Sequence, residues 1–252
     1  MARTKFIAGN WKLNLTSAEG VALVEALKAA IPAGSTAEVA VCPTALAVEA
    51  AVKAAAGSKI GVGVQNVFWE EKGAFTGEIS ASLAKAVGAK YVLLGHSERR
   101  QYFGETDATI NKRLKAVLAQ GLVPVLCIGE TLAERQGGKL ETVLKTQIEG
   151  ALAGFTAEQL ATLVVAYEPV WAIGTGVTAT TAQAQEAHAF VRSVLRTVVG
   201  AALADKVRIQ YGGSVKADNA KEILSQPDVD GALVGGASLK VADFAAIIAA
   251  AG

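Results

Sequence analysis

The feature that most constrains this 252-residue chain is an alternation repeated eight times along it. Short apolar runs rich in β-branched residues are separated by longer, Ala-rich segments, at spacings of roughly 20–45 residues. The runs are Phe6–Ala8, Val39–Cys42, Ile60–Val64, Tyr91–Leu94, Val123–Ile128, Leu163–Tyr167, Val207–Tyr211 and Ala232–Val234. They are continuously apolar, as parallel strands covered on both faces must be. The intervening segments carry helix signals. Thr16-Ser17-Ala18-Glu19 has capping-box spacing ahead of Val21, Leu23, Val24 and Leu27, and Pro32 and Gly34 close that segment. Gly57, Gly88 and Gly121 follow the helical stretches Ala45–Ala56, Leu83–Val87 and Thr109–Gln120, where a left-handed residue stops a helix. Val241–Ala250 reads as the last helix. Eight βα units with no linker and no shift in composition predict an α/β chain forming a single domain over residues 1–252, a closed (β/α)8 barrel. An open doubly wound sheet is the competitor that periodicity alone does not separate from it; the strand count favours the barrel.

Composition bears on partners and compartment. Hydrophobic residues make up 52% and charged residues 19%, and the mean hydropathy of +0.36 requires a membrane reading to be tested. The best uncharged stretch, Ala116–Ile128, is broken by Gln120, Gly121 and Pro124 and is far shorter than the ~20 residues a spanning helix needs. The N-terminal residues, with Arg3, Lys5, Asn10 and Lys12 around a short apolar core, do not form a signal peptide. Cys42 and Cys127 are far apart and outside any C-x-x-C pair, which argues against a disulfide framework or a zinc site. The expectation is a cytoplasmic protein with no membrane partner. A formal net charge of +1 likewise argues against a nucleic-acid partner, which needs clustered cations.

If the chain is a barrel, its chemistry belongs at the C-terminal ends of the strands. Polar or glycine residues follow five of the eight runs: Asn10-Trp11-Lys12, Gly95-His96-Ser97-Glu98-Arg99, Glu168-Pro169, Gly212-Gly213-Ser214 and Gly235-Gly236. Singly, each is ordinary loop composition; jointly they describe one rim. Glu168 stands against a buried run, with Pro169 behind it and Val170, Trp171 and Ile173 around it, a setting in which desolvation raises a carboxyl pKa and strengthens the base. His96, at a strand end, is the better-placed of two histidines; His188 lies within the helical run Ala182–Val199 and reads as solvated. Lys12 supplies a cation shortly past the first strand, although most lysines are simply solvated. Gly174, Gly212, Gly213, Gly235 and Gly236 sit in the last three loops, where backbone amides of this fold often hold phosphate, against the plain alternative of tight turns. Gly174-Thr175-Gly176-Val177-Thr178-Ala179 fits the G-x-G-x-x-[GA] dinucleotide pattern, but it begins seven residues past Tyr167 rather than directly after a strand, which makes it a decoy. No histidine, cysteine or carboxylate spacing suggests a metal site.

Taken in order, Gly9-Asn10-Trp11-Lys12, Leu94 through Arg100, Ala166 through Gly176 and Tyr211-Gly212-Gly213-Ser214-Val215 resemble the triosephosphate isomerase family, as do Gly73 through Glu78 and Asp230 through Ser238. The resemblance covers essentially the whole chain and implies a TIM barrel that interconverts dihydroxyacetone phosphate and D-glyceraldehyde 3-phosphate with no cofactor and no metal. It implies Glu168 as the base, His96 as a neutral imidazole polarising the carbonyl with its pKa lowered by a helix N-terminus, Lys12 balancing negative charge, and Asn10 bonding substrate oxygens, with Glu98 in support. It implies phosphate binding by Gly174, Ser214, Gly235 and Gly236. It also implies a closing lid made of Pro169, Val170, Trp171, Ala172, Ile173, Gly174, Thr175, Gly176, Val177, Thr178 and Ala179. Leu13, Val177 and Thr181 depart from common family residues, and the last two bear on lid kinetics and local stability rather than on the reaction. Cys127 would serve packing. The long connection 65–79 holds Val67, Phe68, Trp69 and Phe75, much apolar surface for a loop, and the resemblance implies that it docks into a second copy, placing Thr76 at the partner's site in a homodimer. Two other readings remain at this point. A phosphate-binding aldolase or an indole-forming synthase on the same fold would call for a Schiff-base lysine within a strand, and none of the eight runs contains one. A retired scaffold should have lost one of Asn10, Lys12, His96 and Glu168, and all are intact.

Overall fold

The computed structural model describes residues 3–174 and 178–252. Its strands are β1 (Phe6–Asn10), β2 (Glu38–Cys42), β3 (Ile60–Val64), β4 (Tyr91–Leu94), β5 (Val123–Ile128), β6 (Val164–Tyr167), β7 (Arg208–Tyr211) and β8 (Gly231–Val234). Each of the eight apolar runs becomes a strand. They pair in sequence order, all parallel, and β8 returns to pair with β1, so the sheet is closed and the open alternative falls away. β1 runs two residues further than its apolar run because Gly9 and Asn10 continue the ladder opposite Val41 and Cys42. Asn10 is therefore held by the sheet rather than by a loop.

Helices ring the barrel. Thr16 caps Ser17–Ala30 in the capping box that its spacing predicts, with Glu19 reaching back to the Thr16 amide. Gly57, Gly88 and Gly121 all take positive φ after their helices. Ala45–Ala56 is not one helix: a 3-10 turn over Ala45–Ala47 leads into Val48–Ala55. The strands carry two apolar layers. Phe6, Ala8, Tyr91, Leu93, Val125, Cys127 and Leu233 fill the barrel interior, and the larger layer lies between strands and helices. Both cysteines are free and buried, the Cys42 thiol pushed up to about 12 by burial.

His188 corrects the sequence reading. It is fully buried beneath the helix Thr181–Val199, its Nδ1 2.7 Å from the Ala184 carbonyl, its ring edge-on to Tyr167 and tilted on Tyr211. Burial pulls it down to about 4, so it stays neutral. The helical period places it on the same face as Ala184, Val191 and Leu195, which single-residue statistics for histidine overlook.

The seam between β8 and β1 is tied at its N-terminal end by a buried ion network. Arg192 pairs with Asp228 and Asp230, each at 2.6 Å, and donates to the Ala204 and Val207 carbonyls. Asp230 also takes Arg3 at 2.6 Å and the Ile209 amide at 3.0 Å, while its own carbonyl accepts the Phe6 amide. Removing one partner strands a charge in a dry site. Replacement of Arg192 by Met should therefore cost about 3–5 kcal/mol, read as a lowered urea midpoint, because Asp230 loses its buried partner and keeps the part-exposed Arg3 and the nearby Lys5.

Candidate active site

Glu168 follows β6 directly, and its backbone continues the sheet by donating to the Ile128 carbonyl at 2.7 Å. The side chain is fully buried at the barrel mouth. Two glycines just past the ends of the flanking strands make the slot for it. A Cβ on Gly129 would lie 1.8 Å from the Glu168 carbonyl oxygen, and one on Gly212 would lie 2.9 Å from the Glu168 Cγ. No other residue type fits either place without moving the carboxylate.

The carboxylate has two partners, both in the loop after β4. Oε1 lies 2.8 Å from His96 Nε2, and Oε2 accepts the Ser97 amide at 2.9 Å. His96 is the N-cap of the helix Ser97–Phe103, its Nδ1 accepting the Glu98 amide at 3.3 Å. With Nδ1 accepting, the ring proton sits on Nε2 and points at Glu168.

The electrostatics differ from the sequence expectation in both directions. Burial alone would push the Glu168 carboxyl up, but the facing His96, the Ser97 amide and Lys12 outweigh it, and the net direction is down. Burial alone would push the His96 imidazole down, but the Glu168 carboxylate outweighs that, and the net direction is up. Apolar flanks in sequence reveal desolvation; they do not reveal that the two groups of interest face each other across 2.8 Å.

Lys12 reaches the same mouth from β1. Its Nζ pairs with Glu98 Oε1 at 2.5 Å, and its amide donates to Asn10 Oδ1 at 3.0 Å. Its backbone is left-handed, with φ +54, and so is that of Leu15, with φ +69. These are uncommon conformations for residues with a Cβ, and such strain gathers at functional sites. Gln65 holds the turn by donating from Nε2 to the Lys12 and Cys42 carbonyls at 2.8 and 2.9 Å. Glu98 also lies 3.5 Å from His96 Nδ1 through Oε2, so it links the cation to the imidazole.

A cleft of about 530 Å³ opens over these groups and brings Asn10, Lys12, His96 and Glu168 together with Gly174, Ser214, Gly235 and Gly236. Asn219 braces the Ser214 turn by donating to its carbonyl, and Ser238 returns to the Gly235 carbonyl. Of the lid expected over 169–179, Pro169 leads into a 3-10 turn over Val170–Ala172. The Trp171 indole donates to Glu130 Oε1 at 2.8 Å, and the Tyr167 hydroxyl donates to the same oxygen at 3.1 Å. Ile173 and Gly174 reach the cleft, and Ala179 on the far side is buried. Thr175, Gly176 and Val177 lie outside the described residues. Thr181 begins its helix behind a Thr180–Gln183 capping box, which does the work a proline would do there. Cys127 is buried and its thiol is raised well above the ordinary value by desolvation, which suits packing rather than nucleophilic chemistry.

A second cleft of about 500 Å³ adjoins the first, where Asn10, Lys12 and His96 meet exposed Leu13, Tyr102 and Phe103. Thr76 is in the exposed part of the connection 65–79. That loop shelters part of its own apolar set: Val67 is buried, Phe68 packs on Trp69 and Phe75 with centroids at 4.0 and 4.8 Å, and Arg113 lies over Trp69. Ser97, Gly129, Glu130 and Gln65 act in the site through amides, close approach or second contacts, and sequence reasoning gave none of them such a part; Gly212, expected at the phosphate, also makes room for the Glu168 side chain. The Gly129-Glu130 pair directly after β5 was the available signal for two of them. Among the described residues no group of three or more His, Cys, Asp or Glu side chains is placed to hold a metal ion.

A family model described as triosephosphate isomerase matches residues 5–251. Relatives named triosephosphate isomerase include that of Clostridium novyi, 55% identical over 98% of both chains, and that of Moorella thermoacetica, 54% identical over the same shares. The Rhodopirellula baltica relative of that name is 50% identical over 100% of this chain and 99% of its own.

The facing pair makes a titration prediction. With its carboxyl held down, Glu168 contributes stability above the ordinary carboxylate value, and this is lost as pH falls through its lowered value. Replacing His96 with Gln removes its strongest opposing influence and leaves burial dominant. The Glu168 carboxyl should then titrate above the ordinary range in isotope-edited infrared spectra, and a carboxyl that stays low would contradict the balance described.

Proposed function

The chain belongs to the triosephosphate isomerase family, and from that premise we propose how its residues divide the interconversion of dihydroxyacetone phosphate and D-glyceraldehyde 3-phosphate. The observation that carries the assignment is the convergence of a buried carboxylate, an imidazole N–H and an ammonium on one cleft that ends in glycine-rich loops.

The Glu168 carboxylate takes a proton from C1 of the ketose. The C–H electron pair forms the C1–C2 double bond, and the carbonyl electrons move onto O2. Nε2 of His96 hydrogen-bonds that oxygen, and the Lys12 ammonium offsets its charge, so both act where charge develops. The same proton, now on Glu168, returns to C2. The imidazole is placed to pass the hydroxyl proton from O1 to O2, which completes the aldose without an external oxidant or reductant. Gly174, Ser214, Gly235 and Gly236 hold the phosphate with backbone amides, Asn10 bonds substrate oxygens and Glu98 positions Lys12. The segment 169–179 covers the enediolate against water and phosphate loss, with Trp171 and Glu130 at its first hinge.

Substrate lying between Glu168 and His96 would separate the two groups. The carboxylate then loses the partner that holds its pKa down, while its burial persists, and it becomes a stronger base once the reacting carbon is beside it. The same contact that weakens Glu168 as a base thus yields to the substrate that needs it. The competing Schiff-base barrel enzyme has no lysine in any of the eight strands.

We further propose one domain over residues 1–252 that works as a homodimer in the cytoplasm. The exposed stretch around Phe75 and Thr76 and the second cleft, rimmed by exposed Leu13, Tyr102 and Phe103, offer each copy two surfaces that an isologous pair could bury together. Two buried free thiols suit a reducing compartment, and no helix among the described residues is long and apolar enough to cross a membrane.

Two measurements test these assignments. Shortening Glu168 to Asp draws the carboxylate back by ~1 Å and should lower turnover in a coupled assay by ~10²-fold; wild-type turnover would remove Glu168 as the base. Analytical sedimentation should give a dimer, and a monomeric species of full activity would dismiss the proposed contribution of the second copy.

A further inference from the structure

We infer that Gln147, on the helix Leu140–Leu152 and outside the cleft, is a positioning residue for the base. Gln147 stands at the edge of the helix's buried stripe, next to Leu144 and Ile148. Its carboxamide closes on one residue from both sides: Oε1 accepts the Gly129 amide at 2.8 Å, and Nε2 donates to the Gly129 carbonyl at 3.1 Å. Gly129 lies just past the end of β5, where the sheet no longer pairs these two groups, and the side chain takes the place of a strand.

What rests on Gly129 is the backbone of Glu168. The Ile128 carbonyl grips the Glu168 amide at 2.7 Å and the Glu130 carbonyl grips the Val170 amide at 3.1 Å. Between these grips the Gly129 Cα is pressed against the Glu168 carbonyl so closely that a Cβ would sit at 1.8 Å. Residues 128–130 are therefore the floor under Glu168, Pro169 and Val170, which carry the base and the first hinge of the lid segment. Gln147 fixes the middle of that floor. A shift of Gly129 reaches the Glu168 backbone through a van der Waals contact and the two flanking hydrogen bonds, and so moves the base of the side chain that carries the carboxylate.

This inference rests on Glu168 being the base, and the experiment separates the two. Q147M removes both hydrogen bonds at similar volume, and Q147E keeps an acceptor for the Gly129 amide while setting a carboxylate against the Gly129 carbonyl. N111A is the control: Asn111 ties the end of the same helix by donating to the Ala151 and Ala153 carbonyls, each at 2.9 Å, and touches no part of the floor. Q147M should lower kcat about tenfold with KM changed less than about threefold, since a misplaced base costs the chemical step rather than binding. The isotope effect with substrate deuterated at C1 should rise, because proton abstraction becomes more rate-limiting. Q147E should fall between Q147M and wild type. N111A should lower Tm but leave kcat and the isotope effect unchanged. A kcat within twofold of wild type in both Gln147 variants would overturn the inference, as would an equal loss in N111A at equal loss of Tm. If Q147M does not fold, Q147E decides alone. E168Q in the same assay reads the premise: wild-type activity there would remove the base assignment, whatever Gln147 does.

Discussion

Along the β8–β1 seam, Phe6 through Gly9 pair with Gly231 through Val234, and this ladder turns an open sheet into a closed one. Everything at the mouth depends on it, because only closure brings the end of the first strand beside the ends of the seventh and eighth. The seam leaves no room for error. Gly231, at φ +150, lies so near the Phe6 carbonyl that a Cβ would fall 1.9 Å from it. Gln210 reaches across the barrel interior to donate to the Phe6 and Ala232 carbonyls, and Arg3 and Arg192 meet on Asp230 at the N-terminal end. Apolar packing holds the wall, but directional polar contacts choose the register in which it closes.

From that frame the site inherits a division of labour. Strand ends set the backbone of Asn10 and Glu168 to within the tolerance of a hydrogen-bonded ladder, while the loops after β1 and β4 bring the charges that act on them. Four titratable groups form a chain, Lys12 to Glu98 to His96 to Glu168, so none has its electrostatics alone. A change at Glu98, which faces the second cleft, would be felt at the carboxylate through the imidazole.

The eight strands were legible because burial on both faces leaves an unbroken apolar run, and a helix cap such as Thr16–Glu19 is written in four consecutive residues. Asn10, Lys12, His96 and Glu168 were legible because each stands close behind the end of such a run. What sequence did not disclose was contact across the barrel. The sense of the Glu168 and His96 shifts depends on a 2.8 Å approach between residues 72 positions apart, and Gln147 reaches Gly129 from a helix whose pattern marks that position only as a border. His188 was misjudged for the opposite reason: its helix does display the period that buries it, but the residue type suggested water.

The left-handed backbone at Lys12 has a consequence for anyone redesigning this scaffold. Glycine would relax that position at once, yet glycine carries no ammonium, and every alternative cation carries the same Cβ. With the role proposed for Lys12, thermal robustness and turnover draw on one torsion angle in opposite senses, so relaxing that backbone for heat resistance would give up the ammonium. The bottom of the barrel, where the Arg192 network lies outside the cleft, is the face on which the two goals need not compete.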